Sequence, residues 1–142
     1  MKSVLFLCTG NSCRSQMAEA IVNARDSEWK AYSAGTKPAG YVHEMAIEVL
    51  SEIGISHSGE SKHIDDLPTK DFDLVVTVCD SAAEECPVWL GVGRRVHLGF
   101  PDPAAVKGTD EGVMAAFRAV RDDIAARIPA LLSEHVTPSQ PI

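Results

Sequence analysis

Short, continuously apolar runs alternate along the chain with stretches in which apolar residues recur every three or four positions. Val4-Leu5-Phe6-Leu7 is the first such run; it ends at Cys8 and gives way to Thr9-Gly10-Asn11-Ser12, residue types that favour turns. From Ser15, Met17, Ile21 and Ala24 repeat at helical spacing, so a strand, a tight loop and a helix beginning just after Arg14 are predicted. Lys30 to Ala34 reads as a second short strand, ending in the turn-rich SAGTKPAG. The stripe Val42, Met45, Ala46, Val49, Leu50 and Ile53 predicts a helix over 42–53, while SHSGESKHIDD is a polar loop with a weak helical or irregular reading. Residues 72–78, FDLVVTV, form an apolar run of the kind buried on both faces, and Cys79 follows it. RRVHLGF, residues 94–100, predicts a fourth strand, followed by the loop PDPAAVKG. Val113, Phe117, Val120, Ile124, Ile128 and Leu131 predict a terminal helix from Asp110 to about His135, kinked at Pro129. Residues 137–142 read as a frayed tail.

Alternating strands and helices with continuous apolar strands predict an α/β fold: a four-stranded parallel sheet flanked by helices. Ligands of such sheets bind beyond the carboxyl ends of the strands. Cys8, Cys79 and the loop carrying Asp102 all fall there.

A chain of 142 residues without repeats or linkers is expected to form one domain, 1–142. No apolar run has the length of a membrane span. The few apolar residues before Cys8 are too short for a signal peptide, so the cytoplasm is expected, with the four cysteines as thiols rather than a disulfide framework. The net charge of −7 argues against nucleic acid and anionic membrane as partners. An anionic substrate must therefore be captured by a local positive field. Screening beyond about 8 Å at physiological salt lets a recessed arginine and backbone amides do this.

The loop after Cys8 has the composition for it. A Gly-, Asn- and Ser-rich connection between strand and helix turns successive N–H groups inward, and the helix amino terminus adds partial positive charge. Gly10 and Asn11 tolerate the left-handed conformations such a nest needs. Thr9 to Ser15 are the candidate anion-binding residues: Thr9, Gly10, Asn11, Ser12, Cys13, Arg14 and Ser15. Arg14 offers a planar fork of donors, and Ser12 and Ser15 offer hydroxyls. A sulfur at the centre of this field is a thiolate, which makes Cys8 a candidate nucleophile. A buried core cysteine beside an ordinary turn is the competing reading of Cys8; the strand-to-helix context and Ser15 favour the nucleophile. Cys13 is read as a packing residue. His97 is expected at the core or edge, and His43, His57, His63 and His135 in loops or on helix surfaces. No cysteine or histidine pair has zinc-ligand spacing, so no metal site is expected.

The segment CTGNSCRSQMAE resembles the thioredoxin-coupled arsenate reductases, which share the fold of low-molecular-weight protein tyrosine phosphatases. YSAG, DLVVTVCDSAAEECP and GFPDPA extend the resemblance over roughly residues 3–130. It implies a four-stranded parallel sheet, Cys8 as nucleophile, Arg14 as oxyanion ligand and Asp102 as general acid. It also implies Cys79 and Cys86 as second and third redox cysteines, with thioredoxin as reductant. The residues favour that branch independently, since a phosphatase has no use for two further cysteines beside the site. Asp102-Pro103 is followed by Ala104, Ala105 and Val106 rather than by aromatics that would sandwich a tyrosine ring.

The expected reaction is attack of Cys8 on arsenate, protonation of the departing oxygen by an Asp102 whose pKa is raised, and a Cys8–Cys79–Cys86 disulfide relay. Seven helical steps would hold the Cα atoms of Cys79 and Cys86 about 10.5 Å apart. A disulfide needs roughly 4.4–6.8 Å, so the segment between them is expected to bend or unwind on oxidation. No cofactor is expected. Some relatives bind a monovalent cation with groups aligned to Asn11, Glu19 and Ser33 plus an aspartate where this chain has Lys62. An ammonium there can replace the cation and pair with Glu19, so potassium dependence is not expected. The alternatives are a phosphatase hydrolysing a Cys8 phosphoenzyme and a noncatalytic oxyanion-binding redox sensor.

Overall fold

Alternation of side chains accounts for the first strand, β1 (Lys2–Cys8). Val4, Phe6 and Cys8 project into one buried cluster, and Leu5 and Leu7 into another. A strand buried on both sides needs apolar residues at successive positions, hence the unbroken run. The computed structural model describes residues 1–80 and 88–136. Cys86, the 81–87 part of the segment expected to bend on oxidation, and the 137–142 tail lie outside the described residues.

β1 lies between β2 (Trp29–Gly35) and β3 (Asp71–Thr77), and β4 (Val92–His97) pairs with β3. All pairings are parallel, in the order β2-β1-β3-β4, with Cys8 opposite Gly35 and Leu7 opposite Thr77. The chain leaves β1 for one neighbour and later returns to the other, so the strand order reverses at β1. That reversal opens a crevice at its carboxyl end.

Three helices, α1 (Arg14–Arg25), α2 (Glu44–Glu52) and α3 (Asp110–Val136), cover the face to which Cys8 points. Met17 and Ile21, Val49 and Leu50, and Phe117, Ile124 and Ile128 are their principal contributions. The opposite cluster contains no α-helical residue among those described. There Phe72 meets Trp89 edge-on at 5.8 Å and Tyr32 at 5.3 Å, with Leu67 alongside.

Several boundaries differ from expectation for physical reasons. Ala24 is exposed, whereas every residue from Arg14 to Ala18 is buried, because sheet and loops enclose the first turn of α1. β4 begins at Val92 and ends at His97, two to three residues earlier than the apolar pattern suggests. Backbone pairing to β3 defines it. Leu98 and Phe100 still donate to Thr77 and Val78, at 2.9 and 3.1 Å, beyond the strand proper. In the polar loop before β3, the weak helical signal is confined to a short 3-10 turn at Ile64–Asp66. In α3, Leu132 is buried and Leu131 only partly so, and the helix continues past Pro129 to Val136. α2 and α3 are tied by buried Arg121, which donates to the Val49 carbonyl at 2.9 Å and to Glu52 at 2.8 Å. Arg118 forks onto the same carboxylate at 2.7–3.1 Å.

Candidate active site

The connection between β1 and α1 is held from outside, carbonyl by carbonyl. The Thr9 carbonyl accepts from the Lys37 amide at 3.0 Å, and that of Gly10 from the Ala39 amide at 2.9 Å and the Ser61 hydroxyl at 3.0 Å. The Asn11 carbonyl accepts from Gln16 Nε2 at 3.1 Å, and those of Ser12 and Cys13 from the amides of His43 and Met17 at 3.0 and 2.9 Å. Across a planar trans peptide the N–H of the next residue points opposite to the carbonyl. Five outward carbonyls therefore aim the amides of residues 10–14 into the space the loop encircles. The amino terminus of α1 opens on that space without a side-chain cap from Cys13 and without an acidic residue in its first turn. Its helix dipole adds to the positive potential.

Asn11 is the turning point of the loop. Its φ of +47° makes it the sole non-glycine residue with positive φ among those described, and it is fully buried. Its side chain donates to Ser15 Oγ at 2.9 Å and accepts the Lys62 amide at 2.8 Å. Gly35 is required beside it: a Cβ there would collide with the Thr9 carbonyl and come within 2.6 Å of the Cys8 carbonyl oxygen.

Cys8 ends β1 at the floor of a cavity of about 610 Å³, and Thr9 to Arg14 form its rim. Arg14 is buried, donates from Nη1 to the Phe100 carbonyl at 3.1 Å, and brings Nη2 to 3.8 Å from Asp102 Oδ2. Asp102 caps the short turn Pro103–Ala105 by accepting the Ala104 amide at 3.0 Å, and it too lines the cavity. Cys8 and Cys13 are not in a disulfide, whereas fully buried Cys79 is disulfide-bonded and shares the buried cluster of Cys8. Burial, aided by the Asp102 charge, pushes the Cys13 thiol up to about 12, while its partly opposing neighbours are Ser12 and Arg14.

The structure thus gathers Cys8 to Arg14 and Asp102 around one cavity. Ser15 is buried behind it, occupied with Asn11 rather than lining the space. Lys62 directs Nζ to the carbonyls of Ser33 and Glu60 at 3.3 and 3.0 Å, while Glu19 accepts the Ser33 hydroxyl at 2.8 Å. Lysine and glutamate meet through Ser33 instead of in the direct pair expected. Lys37, Tyr41 and His43 complete the cavity wall and were not anticipated. Their signal lay in the turn-rich loop following β2, since that loop also leaves a carboxyl strand end. His43 has a further task, accepting the Met45 amide at 3.1 Å to cap α2.

Amides converging on a recessed thiol at the carboxyl edge of a parallel sheet define an α/β protein that holds an oxyanion against a cysteine. The sequence matches the low molecular weight phosphotyrosine protein phosphatase family over residues 3–140, and the chain belongs to that family. It is 49% identical over 129 residues to the arsenate reductase of Halalkalibacterium halodurans, covering 89% of this chain and 92% of that one. Among solved structures it resembles the arsenate reductase of Archaeoglobus fulgidus, with a TM-score of 0.77 and 36% identity over 92% of this chain and 98% of the other. The thioredoxin-dependent arsenate reductase of Corynebacterium glutamicum superposes with a TM-score of 0.65 at 28% identity, covering 99% of this chain and 64% of its own. Among the described residues no helix is long and apolar enough to cross a membrane.

Proposed function

We propose that this chain reduces arsenate to arsenite and is recharged by thioredoxin. The observation that carries the reading is the ring of outward carbonyls, which aims five amides at a space with Cys8 at its floor and Arg14 at its rim. A tetrahedral oxyanion of arsenate or phosphate size fits such a nest. The relatives' activity supports arsenate as the substrate.

In this mechanism the Cys8 thiolate attacks arsenic, and Asp102 delivers a proton to the departing oxygen, which leaves as water. Cys79 then attacks Cys8 Sγ. The S–As electron pair passes to arsenic, reducing it from the pentavalent to the trivalent state, and arsenite leaves. Cys86 attacks Cys79, freeing Cys8, and a thioredoxin dithiol reduces the resulting disulfide by the same exchange. The disulfide at Cys79, with Cys8 not part of it, supports a redox role for Cys79. The cytoplasm, where thioredoxin keeps thiols reduced, is the compartment this cycle requires.

The test is arsenite release in the presence of thioredoxin, its reductase and NADPH, run beside hydrolysis of an aryl phosphate. Multiple turnovers of arsenite are expected. Aryl phosphate hydrolysis without arsenite would assign the chain to the phosphatase reading instead.

A further inference from the structure

Gln16 is fully buried on the first turn of α1, one residue beyond those read as touching the anion. Its Nε2 lies 3.1 Å from the Asn11 carbonyl oxygen, 3.1 Å from Asn11 Oδ1 and 2.8 Å from the Glu60 carbonyl oxygen. Two amide hydrogens are thus shared among three acceptors, which identifies that end of the side-chain amide as its nitrogen. Its Oε1 must then face His57 Nε2, at 2.8 Å. Oε1 can only accept, so His57 must donate and carry its proton on Nε2. Burial, the largest influence on it, pushes the His57 imidazole below its ordinary value, so the ring is neutral at pH 7. Gly59 packs directly over this bond. A Cβ at that position would sit 2.5 Å from both Gln16 Oε1 and His57 Nε2.

We infer that His57 and Gln16 form a positioning pair: His57 orients the Gln16 amide, and Gln16 clamps Asn11 in its left-handed conformation, setting the direction of the loop amides that bind the oxyanion. Neither residue touches the cavity. Asn11 is nonetheless the only non-glycine residue with positive φ among those described, and an unclamped residue of that kind relaxes toward negative φ. Relaxation would swing the 11–12 peptide and withdraw its N–H from the anion. The side chain of Gln16 grips both the carbonyl and the amide oxygen of Asn11, a hold that no other described side chain has on that residue.

This inference rests on the anion-site reading above and is separable from arsenic chemistry. The probe is inorganic phosphate, with affinity read from protection of Cys8 against iodoacetamide in the reduced full chain. Gln16→Met keeps the length and burial of the side chain but removes its donors. It is expected to weaken phosphate binding by about tenfold. His57→Ala leaves the Gln16 amide free to turn and is expected to weaken binding by several-fold. His57→Gln supplies a replacement donor and should restore affinity to near the wild-type value. Urea unfolding confirms that each variant is folded, and if Gln16→Met is not, the two His57 variants decide. Wild-type phosphate affinity in His57→Ala, or no recovery in His57→Gln, overturns the positioning role. Absence of phosphate protection in the wild type would overturn the anion site and this role together.

Discussion

Arg14 and Asp102 face one another at the cavity edge, Nη2 to Oδ2 3.8 Å, while Nη1 is anchored to the Phe100 carbonyl at 3.1 Å. The two side chains lie 88 residues apart in the sequence and divide the work at the site between holding the anion and moving a proton. Their variants should separate accordingly. Arg14→Lys replaces a fork by a point charge and loses the Phe100 anchor, so phosphate affinity should fall roughly 10- to 100-fold. Asp102→Asn keeps the cap to Ala104 and removes the proton. It should retain phosphate affinity and lose about 10²- to 10⁴-fold in arsenate turnover. Phosphate protection of Cys8 and single-turnover arsenite release measure the two effects. Unimpaired turnover in Asp102→Asn would remove the general acid from the mechanism.

The thiols of Cys8 and Cys13 should differ sharply in reactivity. With its thiol pushed up to about 12, only about one Cys13 in 10⁴ is ionised at pH 8, and alkylation follows the thiolate. Iodoacetamide at that pH should modify Cys8 and spare Cys13, as read by peptide mass spectrometry. Cys13→Ser should keep arsenate turnover, whereas Cys8→Ser should abolish it.

The contact between α2 and α3 should be acid-sensitive. Hydrogen bonds from Arg118 and Arg121 lower the Glu52 carboxyl to about 2. A carboxylate depressed in the folded state contributes stability above its ordinary value, and that stability is lost as the pH falls through both values. The urea midpoint of the wild type should therefore fall between about pH 4.5 and 2 more steeply than that of Glu52→Gln. The difference should shrink at high salt, because Glu52 and Arg118 are both solvent-accessible. Parallel profiles would show that this pairing is not linked to folding.

The sequence by itself determined the alternation of strands and helices, the parallel sheet and the placing of Cys8 and Asp102 at carboxyl strand ends. Those features are local. A strand buried on both faces needs consecutive apolar residues, a helix on a sheet needs a periodic stripe, and a tight turn needs Gly and Asn. The loop from Thr9 to Cys13 was legible for the same reason, since its conformational demands are met by its own residues. Tertiary structure alone decided what fixes that loop. Lys37, Ala39, His43 and Ser61 hold its carbonyls, and His57 acts on Asn11 through Gln16, from segments 28 to 51 residues away along the chain. Those donors are mostly backbone amides, which every residue but proline possesses, so no side-chain pattern could reveal them. The same holds for β4, whose limits follow from hydrogen bonds to β3, and for the exposure of Ala24. Periodicity reports which residues share a face, but packing decides how far burial extends along it.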